Sequence, residues 1–507
     1  MMKKRLTAVL ISVSVTAALI MSGCADTSAA GKEPVSDSGE IADSNNADSK
    51  TADEEQSAAE ASSQEKTTYD NSEDGGHAIT ADGETAAYSS SVVTKSGDSE
   101  GDEADFYGEN AAVFATNAAH LTLSDMHITT DGAHANAVFS YGEGTVVDIS
   151  DSTINTSGNC SGGLMTTGGG TMNASNLTIH TTGNSSAAIR SDRGGGTVSV
   201  TGGEYITDGK GSPAVYSTAD ITVNDALLQS TTSEGIVVEG KNSVTLNNVT
   251  LTADHNKHNS DKSDNYHAVM IYQSMSGDAD AGLSKFSANG GSITNANGDI
   301  FFVNNTATDI SLSGVEITNN GDGVFLRAVS AGWGNEGSNG GKVNLTADSQ
   351  KIDGDMIVDD ISALNLYLKE GSTFNGAINP DGTEGDVYVE LSDGSKWILT
   401  DDSHISSLTC DTDSIDLNGH TLYIDGKAYA EGTEAAGDAI EIKADEDVRK
   451  KGDMSSPPDD GGRPDKQGGA GQPPEGGKRS SGSDKEPPAR PEGEPPAKPD
   501  GEMPNNT

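Results

Sequence analysis

Leu121-Thr-Leu-Ser-Asp-Met-His-Ile-Thr-Thr130 decides the fold. Leu121 and Leu123 alternate with polar neighbours, the period of two that marks a half-buried strand. Two residues after Leu123 comes Asp125, and five after it comes Ile128. The same spacing recurs at Ile149/Asp151/Ile154, Ala174/Asn176/Ile179, Val200/Gly202/Tyr205 and Val223/Asp225/Leu228. It continues at Leu246/Asn248/Leu251, Ala288/Gly290/Ile293 and Leu312/Gly314/Ile317. The middle residue is always Asn, Asp or Gly, the types that enter left-handed backbone geometry most cheaply. From one first position to the next the steps are 26, 25, 26, 23, 23, 42 and 24 residues. A near-constant period with a fixed turn residue predicts a solenoid.

A second apolar cluster opens each repeat, for example Ala137-Val-Phe139, Ile236-Val-Val238 and Val269-Met-Ile271. Each coil therefore has about three short strands, and like residues on successive coils stack about 4.8 Å apart. The fold class is all-β, a right-handed parallel β-helix of about 14 coils over residues 67–430. A Thr/Ser column (Thr130, Thr156, Thr181, Thr207, Ser230) should be at least partly internal. That placement argues against an ice-binding face. Helices are nearly absent from the pattern.

Outside the repeats the composition changes. Residues 1–23 read as a targeting segment: Lys3, Lys4 and Arg5 precede an apolar run, Leu6 to Ile20, that is too short to span a membrane. It ends in Met21-Ser-Gly-Cys24, which resembles a bacterial lipobox. That resemblance implies a lipid-modified Cys24 as the mature N-terminus. Residues 24–66 hold few large apolar side chains and read as a disordered linker. Of 15 prolines, 12 lie at Pro457 or later, so residues 431–507 read as a disordered, extended Pro/Gly/charged tail.

The formal charge of −48 repels nucleic acid and anionic head groups. The expected partners are thus the membrane, through the N-terminal lipid, and a polysaccharide or other cell-surface ligand. No nucleic acid is expected. Cys160 and Cys410 are about ten coils apart, too far for a disulfide.

Candidate chemistry is sparse. The 42-residue step carries His255, His258 and His267 with Asp254, Asp261 and Asp264. A His-x-x-His loop suits a transition metal, but no further ligand stands at a matching spacing, so a solvated loop is the expectation. Asp353 and Asp355, two apart on an expected strand, and Asp359 are candidate calcium ligands. The acidic run Asp98, Glu100, Asp102, Glu103 and Asp105 is similar. No other cofactor is expected. A lyase acting on anionic sugar needs a cationic groove, yet residues 100–430 hold only Arg190, Arg193 and Arg327.

Aromatic residues make up only 4% of the chain, so their positions carry weight. Tyr272 and Gln273 leave a strand for a loop. Trp333, Asn335 and Asn339 sit in a Gly-rich loop. An exposed ring flanked by amides suits a sugar. Trp397 is a further ligand candidate, although Trp397-Ile-Leu399 also reads as a packed strand. The long loops at residues 252–284 and 327–341 should form one elaborated face.

The chain resembles bacterial surface proteins of the pectin-lyase-like fold. Ala268-Val-Met-Ile-Tyr-Gln-Ser-Met-Ser-Gly-Asp278 and Trp333-Gly-Asn-Glu-Gly-Ser-Asn-Gly-Gly341 are similar to segments of secreted or lipid-anchored proteins of Gram-positive anaerobes. Ser395 to Ser403 and Ile415 to Asp425 are similar to the ends of autotransporter adhesin passengers. The resemblance implies a noncatalytic surface adhesin or glycan-binding lipoprotein. The alternative is a polysaccharide lyase or glycoside hydrolase.

Overall fold

The computed structural model describes residues 66–444, apart from residues 275 and 384. The signal segment, Cys24, nearly all of the 24–66 linker and residues 445–507 lie outside the described residues.

The chain forms a parallel β-solenoid. The eight turn motifs stack rung on rung. Leu123, Ile149, Ala174, Val200, Val223, Leu246, Ala288 and Leu312 pair in that order. The positions five residues later, Ile128 to Ile317, pair in the same order. Every middle residue takes the left-handed conformation, with φ between +48° and +69°. The turn thus bends one strand into the next without breaking the ladder. On another face Val113, Val138, Leu164, Ile189, Val215, Ile236, Val269, Phe301 and Leu326 stack. These three columns fill one continuous core, with Ile317 alone partly exposed. The 42-residue step is absorbed with register intact, because Leu246 still pairs with Ala288.

A corner cassette, Thr-x-Gly-x-x-Ser, recurs at Thr156–Ser161, Thr181–Ser186 and Thr207–Ser212. The Thr hydroxyls are buried and donate to the Ser carbonyls at 2.6, 2.5 and 2.6 Å. Each Ser hydroxyl donates to the Gly carbonyl of the preceding rung, at 2.8, 3.1 and 2.8 Å. Buried polar groups need such partners. The Thr/Ser column is therefore internal, as its place in the turn implied.

Two details differ from the sequence reading. The acidic run at residues 98–105 includes a short helix, Asp102–Tyr107. Three of its five carboxylates are engaged: Asp98 Oδ1 accepts the Ala133 amide at 2.8 Å, Asp102 meets Arg193 at 3.1 Å, and Asp105 meets His134 at 2.6 Å. At the other end the packed chain runs past 430. Ala435 and Ala436 pair antiparallel with Cys410 and Thr409. The Asn365 side chain donates to the Ile440 carbonyl at 2.8 Å and accepts from the Ile440 amide at 3.0 Å. These antiparallel and side-chain contacts cap the last rungs. The boundary expected at 431 therefore moves to at least Ile440.

Candidate functional site

On the face that carries Val113, alternate side chains point away from the core. Tyr216, Val237, Met270 and Phe302 occupy one outward column on adjacent rungs. An outward column of a solenoid is normally wet, yet Val237, Met270 and Phe302 are buried. With Tyr272 they form a second apolar cluster, against which half-buried Trp333 packs. What covers them is the pair of long loops. The Gly332 amide donates to the Lys262 carbonyl at 2.7 Å, tying the loops together. The Lys262 ammonium lies 5.6 Å over the Trp333 ring, and Tyr272 meets that ring edge-on at 5.3 Å. The single elaborated face expected from loop length is present.

Between the loops lies a cleft of about 210 Å³. Tyr216, Met270, Tyr272 and Trp333 line its apolar side. Glu234, His255 and His267 line the other. Glu234 precedes the strand Ile236–Glu239, and His267 opens the strand His267–Tyr272 one rung later. Because Ile236 pairs with Val269, Glu234 and His267 fall in one column. The inserted loop returns His255 to the same place.

The Glu234 Oε1 stands 3.5 Å from His267 Nε2 and 3.8 Å from His255 Nε2. The His267 amide donates to His255 Nδ1 at 3.2 Å. Both imidazoles are almost fully buried, at 2% exposure for each residue, and neither ring nitrogen of His267 has a hydrogen-bond partner. Burial alone would raise the Glu234 carboxyl, but His267, His255 and the Ser233 hydroxyl hold it below the usual carboxylate range. Burial pushes His255 down to about 4, so its ring is neutral at pH 7. His267 also stacks on Phe302, and His258 stacks on Tyr266 beside His255.

Beneath the cleft, the Tyr216 and Tyr272 hydroxyls both donate to Glu239. Burial raises the Glu239 carboxyl. Burial likewise raises both phenols well above their ordinary value.

The depressed His255 has a measurable consequence. Its ordinary value is about 6.5, so between pH 6.5 and 4 the unfolded chain binds a proton that the folded chain refuses. Stability from this group therefore falls as pH falls through that window, by up to about 3 kcal/mol. Asp299, which burial pushes up to about 6, acts in the opposite direction over part of the range. The comparison with His255→Asn isolates the histidine. Relative to the wild type, the variant is expected to gain about 2–3 kcal/mol between pH 7 and 4 in urea denaturation. An unchanged gap would mean that the folded chain protonates His255 as readily as the unfolded chain does.

The other candidates divide. Tyr272 and Trp333 line the cleft. Gln273 is buried, with its amide nitrogen 3.2 Å from the Ala279 carbonyl. Asn339 is buried and organises the loop by donating to the Ala331 and Trp333 carbonyls at 2.6 and 2.7 Å. Asn335 is partly exposed on the same loop, and its carbonyl accepts the Ser338 amide at 3.0 Å.

Trp397 is corrected: it is 0% exposed, stacks on Phe374 and donates to the Gly376 carbonyl at 2.9 Å. It belongs to the core rather than to a ligand surface. Asp353 and Asp355 do not share a strand; Gly354, at φ +118°, is a corner between Lys351–Asp353 and Asp355–Val358. Asp353 pairs with Lys351 at 2.5 Å, and Asp355 Oδ1 accepts the Ala377 amide at 2.8 Å. Asp359 caps its own loop, accepting from Ser330 and Ser362. These three acids do not gather around a common point among the described residues.

Glu234 was not found from sequence, although its signal exists. It stands two before Ile236, as His267 stands two before Val269. Reading polar as well as apolar columns would have paired them.

Each arginine of this face is already matched. Arg190 binds Asp192 at 2.6 Å, and Arg327 binds Asp299 through two nitrogens at 2.7 and 3.0 Å. Arg193 lies between Asp278, at 2.8 Å, and Asp102, at 3.1 Å. No protein-family model, curated protein or solved structure matches the chain.

Proposed function

We propose that the protein is a noncatalytic glycan-binding solenoid of pectin-lyase-like type, displayed at the cell surface through a lipid on Cys24. The covered cleft carries this reading. Its volume suits about one sugar ring rather than a larger ligand. Tyr216, Tyr272 and Trp333 offer aromatic surface to a pyranose face, and Glu234, Lys262 and Asn265 stand at its edge for hydroxyls. Calcium, if it takes part, would have to bind elsewhere than at Asp353, Asp355 and Asp359, whose oxygens the protein already uses.

One observation favours the rival hydrolase reading. Glu234 is lowered and Glu239 raised on a single strand and its approach, and opposed shifts are the mark of an acid–base pair. Glu239, however, lies beneath two tyrosines at 1% exposure, away from any sugar in the cleft. A lyase is disfavoured because the arginines that would neutralise a uronate are all paired.

The test is a broad glycan array probed with purified protein, with calcium and with chelator, followed by titration of Trp333→Ala. Saturable binding is expected, weakened at least about tenfold in the variant, or ~1.4 kcal/mol. Equal binding by the variant would remove the cleft from the reading. Silence across the array would favour a protein partner, and sugar release abolished by Glu234→Gln would favour the hydrolase.

A further inference from the structure

We infer that Glu234, His255 and His267 form a binding site for one first-row divalent metal ion, with zinc the expected occupant. Three features converge on it. First, the spacing is wrong for hydrogen bonds and right for a shared cation. Glu234 Oε1 lies 3.5 and 3.8 Å from the two Nε2 atoms. A hydrogen bond to a carboxylate closes to about 2.7–2.9 Å. Ligand atoms 2.0–2.2 Å from a tetrahedral zinc stand about 3.4 Å from one another.

Second, His267 is 2% exposed and both its ring nitrogens lack a hydrogen-bond partner. A buried imidazole left unsatisfied is rare and needs a cause. A metal on Nε2 supplies one. Third, the donor set is two imidazoles and one carboxylate, with the remaining direction open to the cleft. That is the pattern of a zinc site that keeps a position for solvent or ligand. Imidazole donors select zinc, copper or nickel over calcium and magnesium.

Two other clusters are weaker. In the Asp105–His134–Cys160 group the acid and the imidazole have closed to 2.6 Å, the separation of a direct ion pair and too short for two ligands on one cation. In the Asp401–Asp402–His420 group Asp401 is exposed to water, and Asp402 Oδ1 already accepts the Thr421 amide at 2.7 Å. One contact in the proposed cage must open on metal binding. Coordination through His255 Nε2 places the proton on Nδ1, which now accepts the His267 amide at 3.2 Å.

The inference uses the cleft but does not rest on glycan binding, and it is tested with metal alone. Tag-free protein is stripped with chelator, equilibrated with one equivalent of zinc, desalted and assayed for metal content. One zinc per chain is expected, retained in millimolar calcium. Glu234→Gln and His267→Ala should each weaken zinc at least about 100-fold. Cys160→Ser should bind as wild type, which separates this site from the Asp105 group. Should His267→Ala fail to fold, Glu234→Gln and the absorption spectrum of the cobalt form, which reports tetrahedral coordination, decide the matter. No zinc in the wild type, or zinc unaffected by Glu234→Gln, overturns the proposal. Loss of zinc in Cys160→Ser overturns it as well.

Discussion

Gly183→Ala is expected to cost about 3–5 kcal/mol, a loss among the largest that a single added methyl group can bring at the described residues. The methyl would fall 1.8 Å from the Gly158 carbonyl oxygen of the preceding rung. Gly132, Gly158 and Gly209 repeat the situation at 2.1, 1.9 and 1.7 Å from the carbonyl below. That carbonyl also accepts the Ser186 hydroxyl at 3.1 Å, so it cannot tilt away freely. Relief requires separating two rungs, which breaks ladder bonds on every face of the coil. The matched control is Gly314→Ala. Gly314 has φ +59° but nothing within 4 Å of the added methyl, so only the left-handed backbone penalty of about 1–2 kcal/mol applies. Urea denaturation of both variants checks the order. Equal losses would mean that the rungs separate easily and that the close approach is not a constraint.

Trp397→Ala is expected to cost about 3–5 kcal/mol, the range for emptying a buried aromatic site. The ring is fully enclosed near the C-terminal end of the solenoid, between the Phe374 rung and the Ile415 rung. Its removal also leaves the Gly376 carbonyl without its 2.9 Å donor. The loss should appear as early proteolysis among the last rungs, ahead of the Leu123–Leu312 ladder, because each coil of a solenoid leans only on its neighbours. Binding at the cleft should stay within about twofold, since independent distant sites add. A variant that stays fully stable would show that the last rungs are held by their capping strands and not by this ring.

The turn residues made the fold legible. Asn, Asp or Gly at a fixed place in eight repeats gave the left-handed bend at every one of them, and the apolar spacing gave the register. Contacts between rungs were harder to read, because they depend on which coil lies beside which. Trp397 sits in a segment that reads as strand or as exposed ring, and only its neighbours Phe374 and Ile415 decide. Asp353 and Asp355 look like one strand until Gly354 turns the chain between them. Glu234 and His267 are 33 residues apart in sequence and one rung apart in space. The polar residues 431–440 carry no apolar rhythm, since their hold on the cap comes through backbone pairing and Asn365.

The 42-residue step leaves the ladder on both sides in register. The scaffold is therefore indifferent to what is threaded between Ala253 and His267, provided both ends return to their rungs. Length and composition can change in that detour while the strands beneath stay constant. A new surface can then be written onto a constant frame one loop at a time, by exchange of this segment alone.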